Sequence, residues 1–315
     1  MMNVDLSIVI VSYNVCDLLA QCLASVVRPQ TTDHRQKTKS EVFVVDNASR
    51  DGSAAMVHER FPSVHLIENT ENRGFAAANN QAFAETRGRY VLMLNPDTVV
   101  RTGALEILVK FMDEHPRAGA CGGRLLYADG SLQHSAFMFP ALAQIFLDFF
   151  PLNWRLVDSR LNGRYPREAY ARGEPFQIDH PLGADLMVRG ETAQQVGWLD
   201  EDFFIYCEEI DWCMRIKHAG WQIWCVPQAE IVHHEAQSTR QFRDTMFVEL
   251  WRARFRLFDK HYSRAFRWAA RWTVRAGLWN EARKARAAAR AGKVTQDALE
   301  TRLAAYQQVE EWGRG

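Results

Sequence analysis

"LSIVIVSYNVCDLLAQCLASVV" (6–27) changes its period halfway along. It begins as an apolar run of strand length. From Leu18 onward the apolar positions Leu18, Leu19, Cys22, Leu23 and Val26 fall at helical spacing. A buried strand leading into an amphipathic helix is the opening of a βαβ unit. The pattern then repeats. "EVFVVDNASRDGS" (41–53) is a second strand that stops at Asp46, with a helix starting near Ser53 behind the Asp51-Gly52 turn. "SVHLIEN" (63–69) is a third strand, "GFAAANNQAFAET" (74–86) a helix and "RYVLMLN" (89–95) a fourth strand. Strands alternating with helices imply a parallel sheet that binds its ligand beyond the carboxyl ends of the strands. The polar residues at those ends are Ser12, Tyr13, Asn14, Asp46, Asn72, Arg73, Asn95 and Asp97.

The fourth strand runs into "NPDTVV" (95–100). Proline cannot donate to a sheet ladder, so Pro96 marks the point where the chain leaves the sheet and Asp97 faces a crevice. An acid after Asn-Pro can also be an ordinary turn residue. The first turn, "VSYNVCD" (11–17), has no glycine, which argues against a GxGxxG dinucleotide grip, and "AGKVT" (291–295) lacks the requirements of a P-loop. A nucleotide can still be held if carboxylates read base and ribose while a divalent cation neutralises the diphosphate. Asp46 and Asp97 are placed for these two tasks, with Mg2+ or Mn2+ as the cation.

The second half is less regular. "AGACGGRLL" (118–126), "GADLMVR" (183–189) and "WQIWCVP" (221–227) read as strands, and "DEDFFIYCEEIDWCMRIKHAG" (200–220) as a loop entering a helix that closes at Gly220. Beyond about residue 246 the pattern is helical to the end. The 315 residues, 47% hydrophobic, suffice for a sizeable core, and 38 basic against 38 acidic side chains give no global drive onto nucleic acid. Six scattered cysteines without CxxC spacing read as reduced thiols of a cytosolic protein. No stretch approaches the roughly 20 apolar residues of a spanning helix. "FMFPALAQIFLDFFPLNW" (137–154), broken by Pro140, Asp148 and Pro151, reads as a surface-lying or substrate-covering segment.

In their order and spacing, "SIVIVSYN", "VFVVDNASRDGS", "ENRGFAAANN", "LMLNPDT", "GADLMVR" and "FFIYCEEIDWCMR" resemble the family 2 glycosyltransferases of GT-A fold, within them the rhamnosyltransferase-like group that builds bacterial cell-surface polysaccharide. The resemblance covers roughly residues 5–240. It implies an α/β fold with a mixed, mostly parallel central sheet flanked by helices: a catalytic domain over 1–245 and a helical C-terminal extension over 246–315. It further implies that Ser12, Tyr13, Asn14, Asp46, Asn72, Arg73 and Asn95 meet a UDP- or dTDP-sugar donor. Asp97 is the metal-binding acid of the DxD motif, although Asn95 replaces that motif's first acid. His233, with His234 beside it, falls where relatives place a histidine near metal and diphosphate.

Within "YCEEIDWC" (206–213) the resemblance gives Glu209 the place of the catalytic base, as Glu where Asp is usual. Glu208 is its rival, and Asp211 orients the loop or acceptor. Acids at a helix start are also favoured by the macrodipole alone, but their aromatic neighbours would raise a carboxylate's pKa toward general-base values. Gly183 and Ala184 either line the acceptor side or mark a tight internal contact. The activity implied is inverting, metal-dependent transfer of a sugar, such as rhamnose, to a hydroxyl of a glycan or lipid-linked acceptor. A catalytically degenerate carbohydrate-binding scaffold and a sugar nucleotidyltransferase are the alternatives, the latter disfavoured by the missing glycine-rich basic loop after strand one. A glycoside hydrolase would leave Asp46 and Asp97 without a task. The arginine- and tryptophan-rich stretch 250–279 suits either an anionic bilayer, placing the protein peripherally on the inner face of the cell membrane, or a helix pair packed with solvated arginines.

Overall fold

The structure is a computed structural model and describes residues 4–27, 38–234 and 243–313. Most of the polar stretch "RPQTTDHRQKTKS" (28–40) between the first helix and the second strand therefore lies outside the described residues. The chain forms two compact units: Met1–Met138 with Tyr165–Phe204 and Glu208–Ser238, and Phe139–Arg164 with Ile205–Cys207 and Thr239–Gly315.

The first unit is built on a ten-stranded sheet. Its opening elements are β1 (Leu6–Ser12), α1 (Cys16–Val26), β2 (Ser40–Asp46), α2 (Ser53–Arg60), β3 (His65–Glu68), α3 (Phe75–Phe83) and β4 (Tyr90–Leu94). All four strands run parallel, in the order β3-β2-β1-β4. Every residue of β1 and β4 is buried, because helices cover both faces. The chain moves outward from β1 to β3 and then returns to the other side of β1. The reversal between β1 and β4 is a topological switch point, where side chains at strand ends diverge and leave a crevice.

Then follow β5 (Thr98–Val100), α4 (Ala104–Glu114), β6 (Ala118–Leu126), β7 (Leu132–Gln133) and β8 (Ala136–Phe137). Here the direction changes. In the same unit, α7 (Arg167–Ala171) is preceded along the chain by α5 (Leu142–Phe149) and α6 (Trp154–Val157) of the second unit, and followed by β9 (Phe176–Gln177), β10 (His180–Pro181) and β11 (Asp185–Arg189). β11 lies antiparallel between β4 and β6, and β10 pairs β8 apart from the main sheet. After α8 (Gly190–Val196) and α9 (Glu208–His218), β12 (Gln222–His233) runs parallel to β6 and ends antiparallel to β5.

β12 extends six residues beyond the predicted end of its strand at Pro227. Its register against β6 shifts between Val226 and Glu230, so Pro227 sits in a bulge where its missing N–H breaks no ladder bond. The bulge lets the strand continue until His233 stands opposite Thr98. The core of this unit packs Ile8, Ile10, Leu92 and Leu94 with Leu19 and Leu23 of α1 and Leu105, Leu108 and Met112 of α4.

In the second unit, α10 (Arg243–His261), α11 (Arg264–Arg290) and α12 (Gln296–Trp312) pack with α5. Ile145, Phe149, Trp251, Phe255, Phe258, Val274 and Leu278 form its core. Gly277 allows the approach of α5: a Cβ there would fall about on the Phe149 ring, 2.1 Å from Cγ. The aromatics of α10 are thus core residues rather than an outward-facing set. All six cysteines are free thiols, and among the described residues no helix is long and apolar enough to cross a membrane.

Candidate active site

The carboxyl ends of β1, β2 and β4 carry the polar residues singled out in the sequence. Ser12 and Asp46 end neighbouring strands in register, and both are buried. Asp46 Oδ2 accepts from Ser49 N at 3.0 Å, while Asp46 Oδ1 and Ser12 Oγ have no protein partner. Unpartnered buried oxygens at a strand end are expensive unless a ligand meets them. Tyr13 is exposed, and Asn14 turns the chain in the left-handed region at φ 54°. Its backbone N donates to Ser49 Oγ and its Oδ1 accepts from Arg50 N at 2.7 Å, tying the ends of β1 and β2 together.

Asn47, which the sequence reading passed over, organises the next loop. Its Nδ2 donates to Asn72 Oδ1 at 2.8 Å and to Gly74 O at 3.2 Å, and its Oδ1 accepts from Arg73 N at 3.0 Å and from Asn69 Nδ2 at 3.1 Å. Asn72 and Arg73 are thereby held at the surface beside Asp46, and the Arg73 side chain makes no ion pair among the described residues. Gly74, at φ 85°, is pressed against Phe204: an added Cβ would stand 2.7 Å from both the Phe204 ring and its carbonyl oxygen. Phe75 N donates to that same oxygen at 2.6 Å. The 69–74 loop is thus fixed to the segment that leads into α9.

Asp97 leaves the sheet after Pro96 and is buried, 7% exposed. Its carbonyl accepts from His234 N at 2.9 Å, and its Oδ1 lies 3.3 Å from His233 Nε2. The alignment is not that of a hydrogen bond, and Oδ1 has no hydrogen-bond partner. On the far side of the ring, His233 Nδ1 is 3.1 Å from Gln133 Oε1, an oxygen that can only accept. A buried carboxylate oxygen with no hydrogen-bond partner and an imidazole nitrogen face one another here, so Asp97 and His233 fit as two ligands of Mg2+ or Mn2+. Among the described residues no third His, Cys, Asp or Glu completes a metal cluster, which leaves room for phosphate oxygens.

Glu208 and Glu209 open α9, directly after two residues in the left-handed region, Tyr206 at φ 71° and Cys207 at φ 65°. Such backbone costs roughly 1–3 kcal/mol per residue and aims the helix start. Glu208 is buried, Glu209 half-buried, and each keeps one oxygen without a hydrogen-bond partner. Burial pushes Glu209 up to about 7. It drives Glu208 well above the usual carboxylate range, with the charge of Glu209 as the second cause. Desolvation outweighs the helix dipole here.

Asp211 is turned elsewhere. Fully buried, it pairs with Arg215 Nε at 2.9 Å, and Arg215 donates to the carbonyls of Val196 at 2.6 Å and Trp198 at 2.7 Å. Its partner is a loop-clasping arginine.

Gly183 and Ala184 link the two acidic centres. The Cβ that Gly183 lacks would stand 3.2 Å from Glu209 Cγ, so the Glu209 side chain lies directly against this glycine and would have to give by a few tenths of an ångström to admit a methyl group. Ala184 O accepts from Asn95 N at 3.0 Å, two residues before Asp97. A second residue missed in the sequence follows: buried Asp185, raised to about 7 by desolvation, accepts from Gly123 N through Oδ2 and leaves Oδ1 unpartnered. An acid inside the apolar run "ADLMV" was its only signal.

A family model described as Glycosyl transferase family 2 matches residues 7–172, and one described as Glycosyl transferase family group 2 matches residues 90–289. An N-acetylglucosaminyl-diphospho-decaprenol L-rhamnosyltransferase of Mycobacterium tuberculosis is 30% identical over 256 residues, covering 75% of this chain and 80% of that protein. A rhamnosyltransferase of Escherichia coli, WbbL, is 25% identical over 213 residues, covering 64% of this chain and 69% of that protein. Among solved structures, a mannosyltransferase from Pyrobaculum calidifontis in complex with GDP-Man and Mn2+ superposes with a TM-score of 0.56 at 18% identity, covering 100% of this chain and 85% of that one.

Proposed function

Because the chain belongs to glycosyl transferase family 2 and is a glycosyltransferase of GT-A fold, we propose that it moves a sugar, rhamnose in the first instance, from a nucleoside-diphosphate donor to a hydroxyl of a lipid-linked glycan, with inversion. Rhamnose and a lipid-linked acceptor are suggested by the names of the two relatives. The product belongs in cell-surface polysaccharide.

The observation that carries the reading is the link through Gly183 and Ala184, with His233 facing the unpartnered Asp97 Oδ1 on one side and a raised carboxylate on the other. Asp46 and the end of β1 offer unpartnered oxygens for base and ribose, and Arg73 offers positive charge for phosphate. Asp97 Oδ1 and His233 Nε2 would hold a divalent cation, which when bound supplies charge that stabilises the departing nucleoside diphosphate. Glu209 Oε takes the proton of the acceptor hydroxyl as that oxygen attacks the anomeric carbon. A base poised near neutral pH is matched to that task. Glu208 beside it is raised well above the usual carboxylate range by burial and by the charge of Glu209. Asp211 acts as a positioning residue, holding Arg215 against the 196–198 turn.

The test is transfer assayed with dTDP-rhamnose and UDP-sugars on a polyprenyl-diphosphate acceptor, with and without Mn2+. Cation-dependent transfer with an inverted anomeric centre is expected. Tight glycan binding without turnover on any donor would favour the scaffold alternative instead.

A further inference from the structure

The outward face of α11 is unlike an ordinary solvated helix surface. Trp268, Trp272 and Trp279 are 66%, 53% and 66% exposed. At 100° per residue they fall, with Arg275, Arg283, Arg286 and Arg290, in one stripe roughly 80° wide. The opposite face, Ala270, Val274, Gly277, Leu278 and Ala285, is buried. Core packing therefore accounts for one side of the helix and leaves the tryptophans unexplained. Isolated exposed apolar residues are normal, but three tryptophans in a line are not.

Charge indicates what covers them. Residues 264–290 hold seven arginines and Lys284 against the single acid Glu281, in a chain whose charges balance overall. Arg267 and Arg271 are tied to Asp259, and Arg275 to Glu310. Arg286 and Arg290, both exposed, make no ion pair among the described residues. The Arg275 guanidinium lies 5.1 Å from the centre of the Trp272 ring and that of Arg283 lies 5.4 Å from the centre of Trp279. An indole stacked under a guanidinium suits a bilayer interface, where the ring rests below the headgroups while the cation reaches phosphate. A single-stranded nucleic acid would also stack on indoles, but it is tracked by a basic groove. This stripe runs along the exposed side of one helix about 40 Å long.

We propose that this face of α11 docks the protein onto an anionic phospholipid bilayer, with Trp268, Trp272 and Trp279 entering the interface and Arg283, Arg286 and Arg290 meeting lipid phosphates. The docking stands apart from the donor reading, since neither the tryptophans nor these arginines take part in sugar transfer.

The experiment is co-sedimentation of the full chain with vesicles of phosphatidylcholine alone and of phosphatidylcholine mixed with phosphatidylglycerol, with tryptophan emission read in parallel. The expected result is pelleting and a blue shift with the anionic vesicles only, weakened by high salt. Combined Trp268→Ser, Trp272→Ser and Trp279→Ser should abolish both while leaving the melting curve unchanged. Arg283→Gln, Arg286→Gln and Arg290→Gln together should weaken partitioning roughly a hundredfold, from about 1 kcal/mol per basic residue near the surface. These arginines are surface residues, so the second variant decides the matter if the first misfolds. Equal binding to both vesicle types, or unchanged binding by the arginine variant, overturns the proposal. So does a wild-type chain that ignores vesicles but binds an oligonucleotide or self-associates through the tryptophans.

Discussion

Replacing Glu209 by glutamine should make the protein more stable and less active, with a stability gain that grows as pH rises from about 4.5 and levels off above about 7. Burial raises Glu209 from 4.5 to about 7. The folded state thus holds this proton more tightly than the unfolded chain. The corresponding stability is complete below about pH 4.5 and is lost as pH rises through about 7. A shift of about 2.5 units corresponds to at most about 3.4 kcal/mol. Partial exposure reduces this to about 1–2 kcal/mol. Glutamine has the same shape and no charge at any pH, and its presence also removes the repulsion that helps raise Glu208. Urea unfolding in metal-free buffer should show wild type and Glu209→Gln nearly equal at about pH 4.5, with the variant ahead by about 1–2 kcal/mol at about pH 8.5. Transfer by the variant should fall about 10²- to 10⁴-fold, the usual contribution of a general base. A stability difference independent of pH would mean that the Glu209 carboxylate is well solvated, and the argument for its basicity would fail.

Asp211→Asn leaves the half-buried Arg215 without its counter-charge. It should lower stability by about 3 kcal/mol in the same unfolding assay, while turnover per folded molecule falls far less than in Glu209→Gln. Asn47→Ala removes four hydrogen bonds that hold residues 69–74, at about 1 kcal/mol each. Steady-state kinetics should show a raised KM for donor with a smaller change in kcat. Gly183→Ala puts a methyl group 3.2 Å from Glu209 Cγ. Circular dichroism should be unchanged and kcat reduced by about tenfold, as a displaced base would give.

β1 and β4 were legible because they are buried on both faces and so read as unbroken apolar runs, and β6 spans the predicted 118–126. β5, only three residues long, offers no period to detect. The end of β12 was hidden by Pro227: the rule that proline stops a central strand holds for a regular ladder, and the bulge at 227–229 suspends it. His233 was therefore reached through family motifs rather than strand pattern, and its partner Gln133 comes from a two-residue strand one hundred positions away. Asn47 was overlooked for a related reason. An asparagine after a strand looks like a turn residue, and only the fold shows its amide satisfying a loop more than twenty residues downstream. In the tail, Arg-Trp composition alone cannot separate α10, whose aromatics are core, from α11, whose tryptophans face outward.

The most direct test of the account is a crystal of the full chain grown with Mn2+ and a nucleoside diphosphate, with the metal located by its anomalous signal. The account predicts one peak about 2.1 Å from Asp97 Oδ1 and His233 Nε2, phosphate oxygens completing its shell, the base lying against Asp46, and Glu209 facing the place vacated by the sugar. A metal bound away from Asp97, or a nucleotide that leaves Asp46 and Asp97 untouched, would contradict it.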